Sequence, residues 1–280
     1  MERKEKTVLI TGSTDGVGRR VAEKLGKSGA TVLVHGRDQA RAESLLAEIQ
    51  NAGGVGTFFP ADFSSLSEVR ALAEAVQRDH DRLDILVNNA GIGVGGSIRQ
   101  LSHDGHELRF AVNYLSGFLL TRLLLPLLKT SHPARIINVA SVGQQPIDFA
   151  DVMLTRGYSG RRAYCQSKLA QIMFTFDLAK ELEGSGVAAN SLHPATYMDT
   201  AMVRGDGISP MSTVDEGADA ILHFAASAEM EGRTGLYFDG LRPSRVNAQA
   251  YDAAACERLR MISLELVGLP MPGRNTLPGA

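Results

Sequence analysis

The chain lacks tryptophan and is poor in cysteine, the residue that forms disulfides and binds zinc. Its 280 residues contain no tryptophan and only two cysteines, Cys165 and Cys256. Two cysteines this far apart do not form the spaced pair of a zinc site or a redox dithiol, and they cannot build a disulfide framework. We therefore expect reduced cysteines, no metal centre and a cytoplasmic location.

An excess of charge is also missing. The formal net charge is −2, and no block of the sequence is rich in lysine and arginine. Proteins that bind nucleic acid or anionic membranes usually carry such a basic patch, so we expect neither partner. Residues 1–6 are charged and include no apolar signal region. The most apolar run, residues 118–128, contains Arg122 and Pro126 and is shorter than the ~20 residues of a membrane span, which favours a buried helix.

Apolar runs of strand length alternate with segments of helical periodicity along most of the chain. This alternation predicts an α/β fold: a single-domain, Rossmann-like, doubly wound parallel sheet of about seven strands with helices on both faces. The domain is expected to span residues 1–269, followed by a loose tail at 270–280. The predicted strands are 7–10, 31–35, 55–61, 83–87, 135–140, 187–192 and 234–238. The predicted helices include 38–49, 64–77, 103–128, 164–183, 213–226 and 248–267.

The carboxyl ends of the predicted strands carry candidate ligand-binding residues. The first strand ends in Thr11-Gly12-Ser13-Thr14-Asp15-Gly16-Val17-Gly18, and a helical pattern follows it. A strand, a glycine-rich turn and a helix N-terminus together direct backbone N–H groups at a phosphate. The glycine spacing differs from the usual G-x-G-x-x-G, and glycines of a tight strand-to-helix turn are the alternative explanation. Further strand-end residues, which should converge with this loop, are Arg37, Asp62, Asn88 to Gly91, Ser141 and His193-Pro194.

Tyr164 and Lys168 lie four residues apart in a segment with helical periodicity. This spacing stacks the two side chains on one side of a helix. An ammonium near a phenol favours the phenolate and lowers the phenol pKa from its usual value of about 10. The pair therefore forms a candidate proton donor and acceptor for an alcohol or a carbonyl. Such pairs also arise on helices by chance, so the assignment depends on the other motifs.

Five motifs in register resemble the short-chain dehydrogenase/reductase family. They are Thr11-Gly12-x-x-x-Gly16-x-Gly18, Asn88-Asn89-Ala90-Gly91, Asn113, Ser141 and Tyr164-x-x-x-Lys168, and the resemblance extends from about residue 7 to 238. The long interval between Ser141 and Tyr164, together with segments 163–170 and 190–194, is similar to the retinol-dehydrogenase-like and protochlorophyllide-reductase-like branch.

The resemblance implies a catalytic set of four residues. Tyr164 would exchange a proton with the substrate oxygen, and Lys168 would lower the pKa of Tyr164 and hydrogen-bond the nicotinamide ribose. Ser141 would donate a hydrogen bond to the substrate oxygen as it gains negative charge. Asn113 would bind a water that leads protons to Lys168. The alternatives are that Ser141 only caps a strand end and that Asn113 is a satisfied buried amide.

The family also implies a nicotinamide dinucleotide cofactor. At the end of the second strand, His35-Gly36-Arg37-Asp38 has glycine where NAD-binding proteins usually have an acid, and Arg37 suits a ribose 2′-phosphate. We therefore expect NADP(H), with NAD(H) as the second choice. Two residues weaken this preference: Asp38 could reach the ribose, although it is expected to cap a helix, and Asp15 adds negative charge to the glycine loop.

The loop after the sixth strand departs from the family pattern. Ala195 replaces the usual glycine, and Asp199 occupies the position of a threonine that contacts the nicotinamide, so either Thr196 or Thr200 would make this contact. The full expected cofactor-binding set is Gly12, Ser13, Thr14, Gly16, Val17, Gly18, Arg37, Asp62, Phe63, Asn89, Ala90, Gly91, Tyr164, Lys168, Pro194, Thr196 and Thr200. His193 is expected to be structural, because no partner cluster for a metal accompanies it.

Three loops, 93–99, 144–162 and 197–212, are expected to form a mobile lid that sets the substrate. An apolar wall of Ile147, Phe149, Met153, Leu154, Met202, Ile208 and Met211 would favour a hydrophobic carbonyl compound or alcohol. The same loops also contain four arginines, so a negatively charged substrate is an alternative: Arg156, Arg161, Arg162 and Arg204.

The resulting hypothesis is an NADP(H)-dependent oxidoreductase that interconverts a secondary or primary alcohol and its ketone or aldehyde. Two alternatives keep the fold: a dehydratase- or epimerase-type enzyme, and a non-catalytic dinucleotide-binding regulator. The chain lacks the large C-terminal substrate domain of the first alternative, and a regulator needs none of the groups of Tyr164, Lys168 and Ser141. The resemblance leaves assembly as a homodimer or homotetramer open.

Overall fold

A computed structural model describes residues 6–271. Within this range the strands form one sheet in the order β3-β2-β1-β4-β5-β6-β7-β8, and all neighbours are parallel except β7 and β8. The strands are β1 (Thr7–Ile10), β2 (Thr31–Gly36), β3 (Val55–Pro60), β4 (Ile85–Asn88), β5 (Ala134–Val139), β6 (Val187–His193), β7 (Tyr237–Asp239) and β8 (Arg242–Pro243). From residue 272 on, the predicted tail lies outside the described residues.

The helices cover both faces of this sheet. They are α1 (Gly16–Lys27), α2 (Gln39–Asn51), α3 (Leu66–Asp79), α4 (Leu108–Phe110), α5 (Ser116–Thr130), α6 (Gly160–Glu181), α7 (Ala201–Gly205), α8 (Val214–Ala226) and α9 (Ala253–Leu266). A π-helical turn, Ala111–Leu115, joins α4 to α5, and 3₁₀ turns form at Ala228–Met230 and Ala248–Tyr251.

Two hydrophobic cores explain why the strands are almost continuously apolar. One core contains residues of α1, α2 and α8, and the other contains residues of α3, α5, α6 and α9. Because helices cover both faces, every residue of β1 and of β4 is buried. The doubly wound α/β fold predicted from the alternation is therefore confirmed. The eighth strand was not predicted, since two residues leave no periodic pattern.

Capping residues explain where the observed helices differ from the predicted ones. The long helix begins at Leu108 rather than at residue 103, because the Glu107 carboxylate accepts a hydrogen bond from the Phe110 N–H. Helix α6 begins at Gly160, capped by Ser159, so Tyr164 lies in its second turn. The predicted helix 248–267 is divided by Asp252, which caps α9. Helix α7 falls within a segment that was predicted to be a loop.

Among the described residues, one helix, Leu108–Thr130, is long and apolar enough to cross a membrane by its composition alone. The fold buries 72% of its apolar window, which agrees with the prediction of a buried helix. Its π-helical turn carries Asn113, and π-helical turns are frequent at functional sites. The turn also places the Tyr114 hydroxyl 2.7 Å from the Ser263 hydroxyl of α9, and both residues are buried.

Strand order creates the place where a ligand can bind. β1 lies between β2 and β4, so the connections that leave the ends of β1 and β4 diverge. In open α/β sheets, ligands bind in the crevice at this switch point, outside the carboxyl ends of the strands.

The buried contact between Tyr114 and Ser263 should stabilise the docking of α9. Tyr114→Phe removes one hydroxyl of the pair, so we expect the free energy of unfolding to fall by about 1 kcal/mol in a urea titration. Ser263→Ala should cost a similar amount, and the double variant should cost less than the sum, because the second change finds the bond already broken. Strictly additive losses would contradict this account.

Candidate active site

A cleft of about 1630 Å³ opens at the carboxyl ends of the strands, beside the switch point between β1 and β4. Pockets for one small ligand usually enclose about 300–1,000 Å³. The cleft is therefore large enough for a dinucleotide and a second ligand.

The glycine loop after β1 is held against the end of β4. The Asn89 amide Nδ2 donates to the carbonyl oxygens of Thr11 and Gly12 at 2.9 and 3.1 Å, and the Thr11 hydroxyl accepts from the Asn89 and Ala90 N–H groups. A Cβ on Gly18 would lie 2.4 Å from Asn89 Nδ2, and Gly12 has φ +64°. The glycines thus serve a tight turn and also leave the loop surface open for the close approach of a phosphate.

Most of the predicted site residues meet in this cleft. Ser13 and Asn113 are exceptions, because both are buried outside the cleft lining. The Ser13 hydroxyl instead accepts a hydrogen bond from the His35 N–H at 3.0 Å, which joins the loop to β2. The predicted residues that line the cleft are Gly12, Thr14, Gly16, Val17, Gly18, Arg37, Asp62, Phe63, Asn89, Ala90, Gly91, Ser141, Tyr164, Lys168, Pro194, Thr196 and Thr200.

His35 connects three parts of the site, a role that the sequence did not reveal. Its Nδ1 accepts from the Gly12 N–H at 3.0 Å, so the neutral ring carries its proton on Nε2, which donates to the Ala61 carbonyl oxygen at 3.2 Å. The ring centroid lies 4.3 Å from that of Phe63. Burial lowers the pKa of His35 to about 4.

Two arginines flank the end of β2. The Arg37 guanidinium lies 3.5 Å from the Asp62 carboxylate. Arg41, which the sequence analysis overlooked, also lines the cleft and pairs with Asp15 at 2.6 Å and with Asp38 at 3.2 Å. The available signal was its position in the first turn of α2, four residues after Arg37. Asp38 caps α2 by accepting from the Arg41 N–H, as predicted.

Tyr164, Lys168 and Ser141 converge on the cleft. The Lys168 Nζ lies 5.8 Å from the centroid of the Tyr164 ring, on the same face of α6. Burial raises the pKa of the Tyr164 phenol, and the adjacent Ser141 hydroxyl acts in the opposite direction. The sequence predicted a lowered pKa, which was wrong for this structure, because the burial of the phenol outweighs the stabilisation of its phenolate.

Lys168 is buried, with 5% of its surface exposed. Burial lowers the pKa of its amine to about 8, so the ammonium is still the major form at neutral pH. The Nζ donates to the Val139 carbonyl oxygen and to the Gln171 Oε1, each at 3.0 Å. Gln171 was not among the predicted site residues.

Asn113 is a satisfied buried amide. Its Oδ1 accepts from the Ile92 N–H at 2.8 Å, and its Nδ2 donates to the Ser167 hydroxyl at 3.0 Å. These bonds join the π-helical turn to α6 and to the segment after β4. The oxygen lies 3.2 Å from where a Cβ on Gly91 would be, so Asn113 supports the cleft wall from behind. Its role in proton transfer stays a prediction.

The predicted apolar wall was mostly wrong. Met202 and Ile208 line the cleft, but Ile147 and Leu154 are buried in the core, with Phe149 and Met153 packed against it. Met211 is exposed and lies outside the lining. Periodicity cannot show which way a loop side chain points. Apolar residues that do line this end are Ile92, Val94, Val142, Tyr197 and Val203.

The segment that carries α7 is tied to the loop after β4. The Asp206 carboxylate, just beyond α7, accepts hydrogen bonds from the N–H groups of Val94 and Gly95 at 3.0 and 2.9 Å. Asp206 also lines the cleft. This contact joins two of the three predicted substrate loops across 111 and 112 positions of sequence, and no local pattern announces it.

Of the four loop arginines, Arg161 lines the cleft. The others form ion pairs with carboxylates of the same loops: Arg156 with Asp151, Arg162 with Asp148, and Arg204 with Asp199. Asp148, Asp151 and Asp199 do not line the cleft. The substrate loops therefore contribute mainly apolar residues to the cleft, with Arg161 and Asp206 as their charged residues there.

Both candidate threonines after β6 line the cleft. The Thr196 hydroxyl lies 3.0 Å from the His193 Nε2, and His193 also lines the cleft, so its structural role stays a prediction. The Thr200 hydroxyl caps α7 by accepting from the Val203 N–H, and its methyl group lies 3.4 Å from where a Cβ on Gly16 would be. Thr200 is thus next to the glycine loop, whereas Asp199 pairs with Arg204.

Among the residues that the structure describes, no three His, Cys, Asp or Glu side chains converge as metal ligands would. The chemistry available from the cleft is proton transfer at Tyr164, hydrogen bonding from Ser141 and the positive charge of Lys168.

The burial of His35 predicts a pH-dependent stability. Its pKa of about 4 lies below the ordinary 6.5, so the unfolded chain binds more protons between those two values and stability falls as the pH is lowered through them. Between about pH 7 and about pH 5, this group should cost about 2 kcal/mol of the free energy of unfolding. In His35→Gln, the loss measured by urea titration should be smaller by that amount. His103→Gln, at an exposed position, is the matched control, and an equal loss in parent and His35→Gln would refute the assignment.

Comparisons with known proteins identify the family and the fold. A model of the short chain dehydrogenase family matches residues 6–207. Retinol dehydrogenase 13 from Mus musculus is 37% identical, over 96% of this chain and 87% of the mouse protein. The crystal structure of an uncharacterised protein from Mycobacterium paratuberculosis is similar at TM-score 0.78 and 30% identity, over 95% of each chain. The Pseudomonas aeruginosa RhlG/NADP complex is similar at TM-score 0.69 and 30% identity, over 84% of this chain and 94% of that chain.

These similarities confirm the family resemblance, its retinol-dehydrogenase-like branch and the fold. They also support an enzyme that oxidises or forms CH–OH groups with a nicotinamide dinucleotide cofactor. The open glycine loop and the large cleft fit such a cofactor. The chain therefore belongs to the short-chain dehydrogenase family, as an oxidoreductase that acts on CH–OH groups.

Proposed function

We propose that the protein is an NADP(H)-dependent oxidoreductase that interconverts an alcohol and its ketone or aldehyde, with Tyr164 as the general acid and base. The observation that carries this proposal is the convergence of Ser141, Tyr164 and Lys168 on a cleft whose other end is formed by the glycine loop. A site that only bound a dinucleotide could use Lys168 to hold the ribose, but it would not need the Tyr164 phenol and the Ser141 hydroxyl beside each other.

Each side chain has a defined part in the proposed reaction. When bound, the dinucleotide supplies or accepts a hydride at its nicotinamide ring. Tyr164 gives its phenolic proton to the carbonyl oxygen during reduction and takes a proton from the alcohol during oxidation. Ser141 donates a hydrogen bond to the same oxygen and so stabilises its developing negative charge. Lys168 holds the nicotinamide ribose and adds positive charge beside the phenol.

Lys168 offsets an effect of burial on Tyr164, which is the raised pKa of its phenol. A raised pKa keeps the phenol protonated, but it also makes the phenol a weaker proton donor and leaves little phenolate to take a proton from an alcohol. The buried ammonium of Lys168 favours the phenolate, because opposite charges attract more strongly where water is excluded. We infer that the pair works in both directions only while Lys168 is protonated.

The preference for NADP(H) rests on Arg37 and Arg41. Both line the cleft at the end of β2, where a ribose 2′-phosphate would lie in this fold. Two guanidinium groups offer several charge-assisted hydrogen bonds to a phosphate. Asp15 does not leave a free negative charge there, because it is paired with Arg41 at 2.6 Å.

The apolar lining near Tyr164 favours a hydrophobic alcohol or carbonyl compound, in which the reacting oxygen is the main polar group. The name of the similar mouse protein, retinol dehydrogenase 13, makes retinol and retinal reasonable first compounds to test. A cytoplasmic location and assembly as a homodimer or homotetramer stay predictions from the sequence.

A substrate screen tests the activity directly. Purified protein would be mixed with NADPH or NADH and a series of ketones and aldehydes, or with NADP or NAD and alcohols, while absorbance of the reduced nicotinamide is followed. Turnover with apolar carbonyls and NADPH supports the proposal. Tight cofactor retention without net turnover of any compound favours the dehydratase- or epimerase-type alternative.

Tyr164→Phe should lower the turnover of a confirmed substrate by at least ~100-fold, because it removes the acid and base but little volume. Cofactor affinity, measured by quenching or enhancement of nicotinamide fluorescence, should stay close to that of the parent. Tyr251→Phe, on the 3₁₀ turn before α9, is a matched control that removes a half-exposed phenol. Undiminished turnover in Tyr164→Phe would exclude the proposed mechanism.

Arg37→Ala should weaken the binding of NADPH by ~10- to 100-fold, since the lost hydrogen bonds are to a charged phosphate. Binding of NADH, which has no 2′-phosphate, should change less than about threefold. Arg78→Ala on α3 is the control, because this exposed arginine pairs with Asp79 away from the cleft. Equal losses for the two cofactors would overturn the assignment of NADP(H).

A further inference from the structure

Gln171 is a buried side chain whose oxygen bonds directly to the Lys168 ammonium. The two residues lie three positions apart on α6, so they share a face of the helix, and Gln171 is 4% exposed. The distance from Lys168 Nζ to Gln171 Oε1 is 3.0 Å. Because an ammonium can only donate, the atom of the Gln171 amide that faces it is the oxygen.

An ammonium has three N–H bonds in a fixed tetrahedral arrangement. The Val139 carbonyl oxygen takes one of them and the Gln171 Oε1 takes another. The Nζ also lies 3.6 Å from where a Cβ on Gly91 would be, and Gly91 lines the cleft. With two directions occupied from behind, the third N–H is restricted to the side of the cleft.

The turn of α6 that carries Gln171 is fastened to the sheet. Asn138 of β5 donates to the Thr175 hydroxyl at 2.8 Å, and that hydroxyl donates to the Gln171 carbonyl oxygen at 2.8 Å. Asn88 of β4 donates in turn to the Asn138 Oδ1 at 2.8 Å. All four residues of this chain of hydrogen bonds are buried: Asn88, Asn138, Gln171 and Thr175. The amide of Gln171 is therefore presented to Lys168 from a rigid base.

We propose that Gln171 is a positioning residue that keeps the Lys168 amine protonated and directs its remaining N–H into the cleft. The consequence for catalysis rests on the proposed function, because Lys168 acts there on the cofactor ribose and on Tyr164. The assignment of Gln171 itself concerns only the state of Lys168 and can be tested without a substrate.

Because Lys168 is buried, the protonation of its amine depends on the few acceptors that contact it, and Gln171 is the one supplied by a side chain. Burial already lowers the pKa of the amine to about 8. The titratable groups that face it are Tyr164 on its own helix and His193 on β6, where Lys168 contributes to a lowered pKa of His193. Further out, Asp206 acts on the pKa of Tyr164. None of these groups is changed when Gln171 is replaced.

The decisive measurement is an NMR titration of the Lys168 side chain in protein with labelled lysines, with the signal assigned by its loss in Lys168→Met. Gln171→Met keeps the volume but removes the acceptor, so the pKa of Lys168 should fall by about one unit. Gln171→Glu restores an acceptor with negative charge and should raise that pKa above the parent value. An unchanged pKa in Gln171→Met would overturn the proposal.

Gln166→Met is the matched control on the same helix. Gln166 is 1% exposed, and its amide bonds to the Asp148 N–H and the Val152 carbonyl oxygen in a substrate loop. Its replacement should leave the pKa of Lys168 at the parent value, and a fall equal to that in Gln171→Met would overturn the specific role of Gln171. If Gln171→Met does not fold, Gln171→Glu decides: a pKa that fails to rise overturns the proposal.

Kinetic measurements then distinguish the role of Gln171 from the proposed activity of the enzyme. With a confirmed substrate, the alkaline limb of the kcat/KM profile should move about one unit lower in Gln171→Met and be restored in Gln171→Glu. A shifted limb with matching NMR values supports the positioning role in the reaction. If the parent enzyme turns over no alcohol or carbonyl compound, the proposed function fails, while the NMR comparison still decides the role of Gln171.

Discussion

A buried positive charge is the constraint around which this site is built. Lys168 is 5% exposed, and lowering its pKa from 10.5 to about 8 means that burial disfavours the ammonium by about 3 kcal/mol. This cost is tolerable only where acceptors replace the lost water, and the fold supplies them from two layers: Val139 at the end of β5 and Gln171 on α6. The parallel sheet therefore determines the position of the charge, because β5 must end just where α6 crosses it.

The site was largely predictable because it depends on strand ends. Alternating apolar runs predicted the sheet, and the ends of its strands placed the glycine loop except Ser13, together with Asn89 to Gly91 and Ser141, in one cleft. The predictions that failed depend on which way a loop side chain points and on contacts between distant parts of the chain. The order of strands and helices does not determine either of these. Asp206 meets Val94 and Gly95 from more than a hundred positions away, and Met153 turns into the core although it lies in a substrate loop. No periodic pattern carries that information.

At the cofactor end, packing reverses the meaning of one residue. In the sequence, Asp15 lies in the glycine loop and adds negative charge where a phosphate would approach. In the fold it caps α1, and its second oxygen pairs with Arg41. The pair converts an apparent repulsion into a support for a guanidinium that faces the same cleft as Arg37. A charge in a motif is thus not interpretable until its partners in space are known.

At the end of the cleft near Tyr164, the partners of a charged residue also limit which substrates can bind. Asp206 uses both carboxylate oxygens on backbone N–H groups of the opposite loop, so its charge is already compensated where it faces the cleft. A cationic substrate that drew Asp206 away would have to break both of those bonds and separate the two loops. An apolar substrate would leave both bonds intact, and it would meet Ile92, Val142 and Met202, which also line the cleft. The contact between the loops therefore disfavours a cationic substrate on energetic grounds, independently of the composition of the wall.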